Sequence, residues 1–326
     1  MKKMKNLFAV LMALVICVML VGCGSSSGKV KVGILFTASH DALSKAKEGF
    51  VEALAEKGYT EDKVEFVVRN PEGDLTVMGN EATTLVRSCD LVLGIGTPAA
   101  KALQNARDAE KIDLPILFTA VTDPVGEQLI ADVNKPVDIT GTNDMNPVVE
   151  QVNLIKELLP NVKKIGVIYN ISESNSKVQS DMVEAEAAKS DIEVVVKTVA
   201  AATEISAMVT TLTVTEKVEL IYIPTDNLLA ANMPAVDMVA AEQKVPVICG
   251  EAGMVEAGGT LTYSIDYKAL GVLTGEMAAK ILDGTPVSEV PSTSVDASGC
   301  VVVVNEANLT KIGLELPQSI KDKLNK

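Results

Sequence analysis

The 326-residue sequence has no tryptophan, a single histidine and an aromatic content of only 3%. One histidine, His40, rules out a multi-histidine metal site and gives little to a Ser–His–Asp arrangement. The five cysteines (17, 23, 89, 249 and 300) show no CxxC spacing and no neighbouring histidine pair, so a zinc site is not expected. Basic clusters are missing from the body of the chain. At a formal net charge of −14 the protein is a poor partner for nucleic acid, and its acidity serves solubility. Gly94-x-Gly96 lacks a third correctly spaced glycine, and no Gly-Lys-Ser/Thr phosphate loop occurs. These absences argue against an enzyme, and no cofactor or metal is expected.

What is present begins at the amino terminus. Lys2, Lys3 and Lys5 precede an apolar run from Leu7 to Leu20, the layout of an export signal. Leu20-Val-Gly-Cys23 resembles a bacterial lipobox. Residues 1–22 are therefore expected to be a lipoprotein signal peptide, Cys23 the lipidation site, and 23–28 a flexible Ser/Gly tether. An uncleaved anchor or an ordinary secretory signal are the alternatives. Cleavage takes the net charge from −14 to −17. The expected location is extracytoplasmic, with the membrane reached only through the lipid anchor. Cys89, Cys249 and Cys300 read as buried structural residues.

From Lys29 the chain alternates short apolar runs with helical patterns. The clearest unit is Leu220–Ile223, stopped by Pro224 and followed by Thr225, Asp226 and Asn227, each a suitable helix N-cap. A strand ending in polar residues and turning into a helix places them at the carboxyl edge of a parallel sheet, where ligands bind. Similar units end at Leu35, Ile95, Phe118 and Tyr169. A single helix is expected over 202–214, another from the Asp226 region to about Gln243, and crossing strands at 139–144, 258–266 and 301–304. The fold class is α/β: two doubly wound parallel-sheet lobes joined by three crossover strands. The expected lobes are 29–142 plus 267–299 and 143–266 plus 300–326.

Gly33-Ile-Leu, Ser39-His-x-Ala42-Leu43, Gly96-Thr-Pro-Ala-Ala100, Phe118-Thr-Ala-Val-Thr-Asp-Pro124, Pro147-Val-Val-Glu-Gln151, Ile165-Gly-Val-Ile-Tyr-Asn170, Pro224-Thr-Asp-Asn227 and Ile265-Asp-Tyr267 stand in one order. Together they resemble the substrate-binding lipoproteins of ABC transporters with the type I periplasmic-binding fold, the group that includes tryptophan-type binding proteins. The resemblance spans about Lys29 to Lys326. It implies a cleft that closes by a hinge on an amino acid-like, often aromatic, ligand, and delivery to an ABC permease by a monomeric receptor. The scarcity of aromatics weakens the aromatic reading. A sugar or nucleoside receptor, or a ligand sensor for a signalling receptor, remain as alternatives.

A zwitterionic ligand needs donors for its carboxylate and acceptors for its ammonium. The carboxylate is assigned to Gly96, Thr97, Thr119 and Ala120, and the ammonium to Asp226 with Thr225, Asn227 and Asn175 nearby. Thr97, Asp123, Asp226 and Asn175 equally suit helix capping. Ser39 and His40 sit at a strand–helix junction, as a cap or a pocket wall. Asp266 follows the second crossing strand and either faces the cleft or braces the hinge. Phe36, Tyr222, Tyr263 and Tyr267 are core residues or pocket walls.

Overall fold

The computed structural model describes residues 28–295 and 299–324, so the export signal and Cys23 lie outside the described residues. Among those described, no helix is long and apolar enough to cross a membrane. Strand and helix alternate from the start: β1 (Val30–Phe36), α1 (Asp41–Glu56), β2 (Val64–Arg69), α2 (Leu75–Ser88), β3 (Leu91–Ile95), α3 (Thr97–Glu110), β4 (Ile116–Val121) and β5 (Ile139–Asn143). The pattern then restarts with α4 (Val148–Leu158), β6 (Lys164–Asn170), α5 (Ser174–Ala188), β7 (Glu193–Val199), α6 (Ile205–Thr210), β8 (Leu220–Ile223), α7 (Asn227–Ala231) and α8 (Met233–Glu242). It continues through β9 (Val247–Cys249), α9 (Ala252–Glu256), β10 (Leu261–Ser264), α10 (Tyr267–Leu282), β11 (Thr293–Ser294), β12 (Val301–Val304), α11 (Glu306–Ile312) and α12 (Gln318–Lys321).

Among the described residues the strands form two six-stranded sheets, ordered β2-β1-β3-β4-β5-β11 and β7-β6-β8-β9-β10-β12. All pairings are parallel except β10 with β12. Parallel strands covered on both faces must be apolar throughout, and every residue of β3 and β4 is buried. Helices cover each sheet on both sides. In the first, Phe50 and Leu54 of α1 pack on one face and Leu85 and Leu103 on the other. The chain passes between the sheets after β5, after β10, and between β11 and β12.

The second passage delivers α10 onto α1. These helices meet backbone to backbone. A Cβ on Gly271 would lie 1.9 Å from the Ala46 carbonyl oxygen, and one on Gly49 would lie 2.1 Å from that of Lys268.

Two helices differ from expectation. Over 202–215 the chain runs as a 3₁₀ turn, the short α6 and a π-helical turn at Thr211–Thr215. Thr210, Thr211 and Thr213 each donate a hydroxyl to a carbonyl four residues back, at 2.8–2.9 Å, which competes with regular helix geometry. The helix starting at Asn227 breaks at Asn232, because Pro234 has no N–H and restarts the helix as α8. Cys89, Cys249 and Cys300 are buried and free of disulfides.

Candidate functional site

In both sheets the strand order reverses between the first and third strands, and the carboxyl ends of the strands face one gap. A small cavity occupies that gap, with room for about one water-sized sphere, ≈ 20 Å³. From one side come His40 and Leu43 at the start of α1, Ala120 near the end of β4 and Thr122 just after it, Asp144 after β5, and Tyr267 at the start of α10. From the other come Asn175, Thr225, Asp226, Asn227, Ala230, Glu251 and Met254.

Asp226 is the N-cap of α7. Its Oδ1 accepts from Leu229 N at 2.9 Å, and its Oδ2 from Asn170 N at 2.7 Å and Ser176 Oγ at 2.8 Å. Glu173 accepts from Asn227 N and Leu228 N, at 3.0 and 3.1 Å. The free N–H groups of α7 are thus taken by its own lobe. Glu251 does the same for α9, accepting from Met254 N at 2.9 Å and from Gly253 N. Helix α1 differs: its N-cap, His40, makes no side-chain cap bond. The first turn of α1 therefore keeps its unpaired N–H groups and positive dipole end.

Asp144 ties the hinge. Its Oδ1 accepts from Thr122 Oγ1 at 3.0 Å and its Oδ2 from the Tyr267 hydroxyl at 2.8 Å. Asn146 donates to that hydroxyl at 3.1 Å and accepts from Ile265 N at 3.1 Å, joining the first two passages between the lobes. Across the gap, His40 Nε2 lies 3.1 Å from Asn227 Oδ1, and Thr122 Oγ1 lies 3.5 Å from Thr225 Oγ1. Two buried polar atoms at the cavity have no hydrogen-bond partner, His40 Nδ1 and Asn175 Oδ1.

Three carboxylates line this space, with no lysine or arginine among the lining residues. Burial raises Asp144, and burial with the nearby Glu173 carboxylate raises Asp226. Burial pushes Glu251 up to about 7. His40 goes the other way, lowered by burial. A carboxyl whose folded value lies above its unfolded one adds stability only while protonated. The Glu251 contribution is full below its ordinary 4.5 and is lost as pH rises through about 7.

The residues expected from the sequence divide. His40, Ala120, Asn175, Thr225, Asp226 and Asn227 meet at the cavity. Ala120 does so with φ +55 at an irregularity in the β4–β5 register, a strained backbone of the kind found at binding sites. The other five stand elsewhere. Thr119 is fully buried and faces its own lobe, 3.0 Å from Thr142 Oγ1, which lies 2.7 Å from Thr274 Oγ1. Thr97 opens on a separate groove beside Leu75 and Ser172. Gly96, at φ +91, donates its N–H to Thr119 O, and Asn227 Oδ1 lies 3.6 Å from where its Cβ would be. Ser39 is exposed and accepts from Asn70 Nδ2 at 2.6 Å. Asp266 is exposed and caps α10 through Lys268 N and Ala269 N. The carboxylate assignment to Gly96, Thr97 and Thr119 therefore has no support in the geometry.

Glu251, Asp144 and Thr122 were not expected. Glu251 was findable, since it follows β9 and opens α9 just as Asp226 follows β8 and opens α7. Asp144 and Thr122 directly follow β5 and β4, but a threonine or aspartate there carries no signal of which lobe it faces.

Residues 31–325 match the profile of the ABC transporter substrate binding protein family. A "Tyrosine-binding protein" of Clostridioides difficile (strain R20291) is 36% identical over 331 residues, covering 96% of this chain and 94% of its own. A Streptococcus pneumoniae ABC domain solved in complex with L-Trp is 36% identical with a TM-score of 0.84, covering 91% of this chain and 98% of its own. A substrate-binding protein with adhesive properties from Clostridium difficile, solved ligand-free and open, is 38% identical with a TM-score of 0.65, over 88% and 96% of the two chains. The chain belongs to the ABC transporter substrate-binding protein family.

Proposed function

We propose that the protein is the extracytoplasmic receptor of an ABC importer, which closes its two lobes on an amino acid, tyrosine or tryptophan in the first instance. The observation that carries this reading is the cavity itself. It is rich in carboxylates, holds no fixed cation from lysine or arginine, and faces an uncapped helix start on α1. The ligand ammonium sits toward Asp144, Glu251 and the unpartnered Asn175 Oδ1, and the ligand carboxylate at the first turn of α1 beside His40. Leu43, Ala230 and Met254 supply the apolar wall for the side chain. The relatives named for tyrosine and solved with L-Trp support this ligand class.

A cavity of ≈ 20 Å³ is far below the ~300 Å³ of an ordinary ligand pocket, so the lobes must part to admit an amino acid. The better superposition on the L-Trp complex than on the open relative, at nearly equal identity, supports a closed arrangement. Lobe boundaries at 29–142 plus 267–299 and 143–266 plus 300–326, a lipid on Cys23 and a monomeric state complete the reading.

Calorimetry of the chain from Gly24 onward against the twenty amino acids is the test. Tight binding of an aromatic amino acid is expected, weakened at least tenfold, ~1.4 kcal/mol, by removal of its amino group. Binding of a sugar or nucleoside and of no amino acid would overturn the reading.

A pH signature goes with it. Near pH 7 Glu251 is partly protonated, and an ammonium beside it favours the ionised form. Ligand uptake at pH 7 is expected to release protons to the buffer, and the release should shrink as pH rises above about 7 and Glu251 is ionised before the ligand arrives. Titration in buffers of different ionisation enthalpy reads this directly; proton uptake at pH 7 would be the contrary result.

A further inference from the structure

Beside the cavity, Gly253 in α9 faces the first turn of α1 on the opposite lobe. A Cβ at this position would stand 2.9 Å from Asp41 Cβ and 3.2 Å from the Ala42 backbone nitrogen. The first separation is closer than carbon atoms tolerate, and the second partner is backbone, which cannot rotate aside. Gly253 is not among the residues with positive φ, so its own backbone does not require glycine. Within its own lobe the nearest atom is Glu251 Oε2 at 3.0 Å, the tip of a flexible side chain. The same two helices are bridged nearby by Lys45 Nζ and Glu256 Oε1 at 3.4 Å. The lack of a side chain is therefore required only when the lobes are together.

We propose that Gly253 sets how far the cleft can close. With a hydrogen there, α9 seats against α1 and the cavity is sealed; with any larger residue the lobes stop short. The proposal rests on the closing-receptor reading above and adds a residue that acts on closure without touching the ligand.

The test compares the wild-type chain from Gly24 onward with Gly253→Ala and with Gly253→Ala combined with Asp41→Gly. L-tyrosine and L-tryptophan are the probes. Alanine is the better helix former, so without ligand Gly253→Ala should melt no lower than wild type. Its affinity for the amino acid should fall about tenfold, mostly through faster dissociation. Small-angle scattering at saturating ligand should give a larger radius of gyration than wild type. Asp41→Gly removes the Cβ in conflict and should restore part of both losses. Wild-type affinity and wild-type compaction in Gly253→Ala would overturn the proposal while leaving the receptor reading intact. So would an affinity loss with unchanged compaction and no recovery from Asp41→Gly, which would point to a disturbed Glu251 cap instead. A wild-type chain that neither binds nor compacts with either amino acid would overturn the receptor reading and this proposal together.

Discussion

Gly271→Leu is expected to unfold the first lobe or leave it marginal, at a loss of more than about 3 kcal/mol. The reason lies in where its side chain would go. Even the first carbon would sit 1.9 Å from the Ala46 carbonyl oxygen, and Gly49 and Gly275 make the same close approach along the seam, the latter 2.6 Å from Phe50 O. No rotamer relieves a clash with backbone. The two helices would have to separate, and Phe50, Leu54, Leu270 and Ala278 share the core behind them. Against a total stability of about 5–15 kcal/mol, that loss is decisive. Gly79 is the control. It also lies in a helix, α2, but a Cβ there meets nothing within 4 Å. Gly79→Ala is expected to stabilise by about 0.5–1 kcal/mol. Urea unfolding of the two variants should move in opposite directions; equal or like-signed shifts would mean the α1–α10 seam is looser than described.

Asp226→Ala is expected to lower stability by about 2–4 kcal/mol, because two buried donors and one half-buried donor lose their acceptor at once. Asn170 N, Ser176 Oγ and Leu229 N all point at this carboxylate. Asp226→Asn should cost less, since asparagine still caps α7 and the repulsion from Glu173 is gone. Asp226 already accepts from three donors of its own lobe, against two donors each at Asp144 and Glu251, so in the proposed reading it holds the second lobe's edge in shape and the ligand's charge is left to those two. Equilibrium unfolding and calorimetry separate the two roles. If Asp226→Asn keeps its stability yet abolishes amino-acid binding, the ammonium contact belongs to Asp226 after all.

The fold was readable from particular features of the chain. Strands such as Leu91–Ile95 and Ile116–Val121 are apolar end to end, which only a doubly covered parallel sheet requires, and helical periods separate them. Asp226 was readable as a cap because Pro224 ends the strand two residues earlier. Side-chain direction was not readable. Thr119 and Ala120 are adjacent and point to opposite faces of a strand. The sequence assigns both to the ligand, but the structure turns Thr119 toward Thr142 and Ala120 toward the cavity. Asp144 and Tyr267 are 123 residues apart and meet only because the chain passes twice through one hinge. Nor does a helical pattern show that 211–215 is drawn into a π-turn by its threonine hydroxyls.

The placement of α10 has a consequence for biosynthesis. This helix is made late, at Tyr267–Leu282, yet it covers one face of the sheet begun by Val30–Phe36. Translation therefore cannot finish the earlier lobe before starting the later one. Until the ribosome has passed Leu282, the surface of α1 around Ala46 and Phe50 waits uncovered. The nascent chain must stay unaggregated through nearly its whole synthesis, and its two halves mature together.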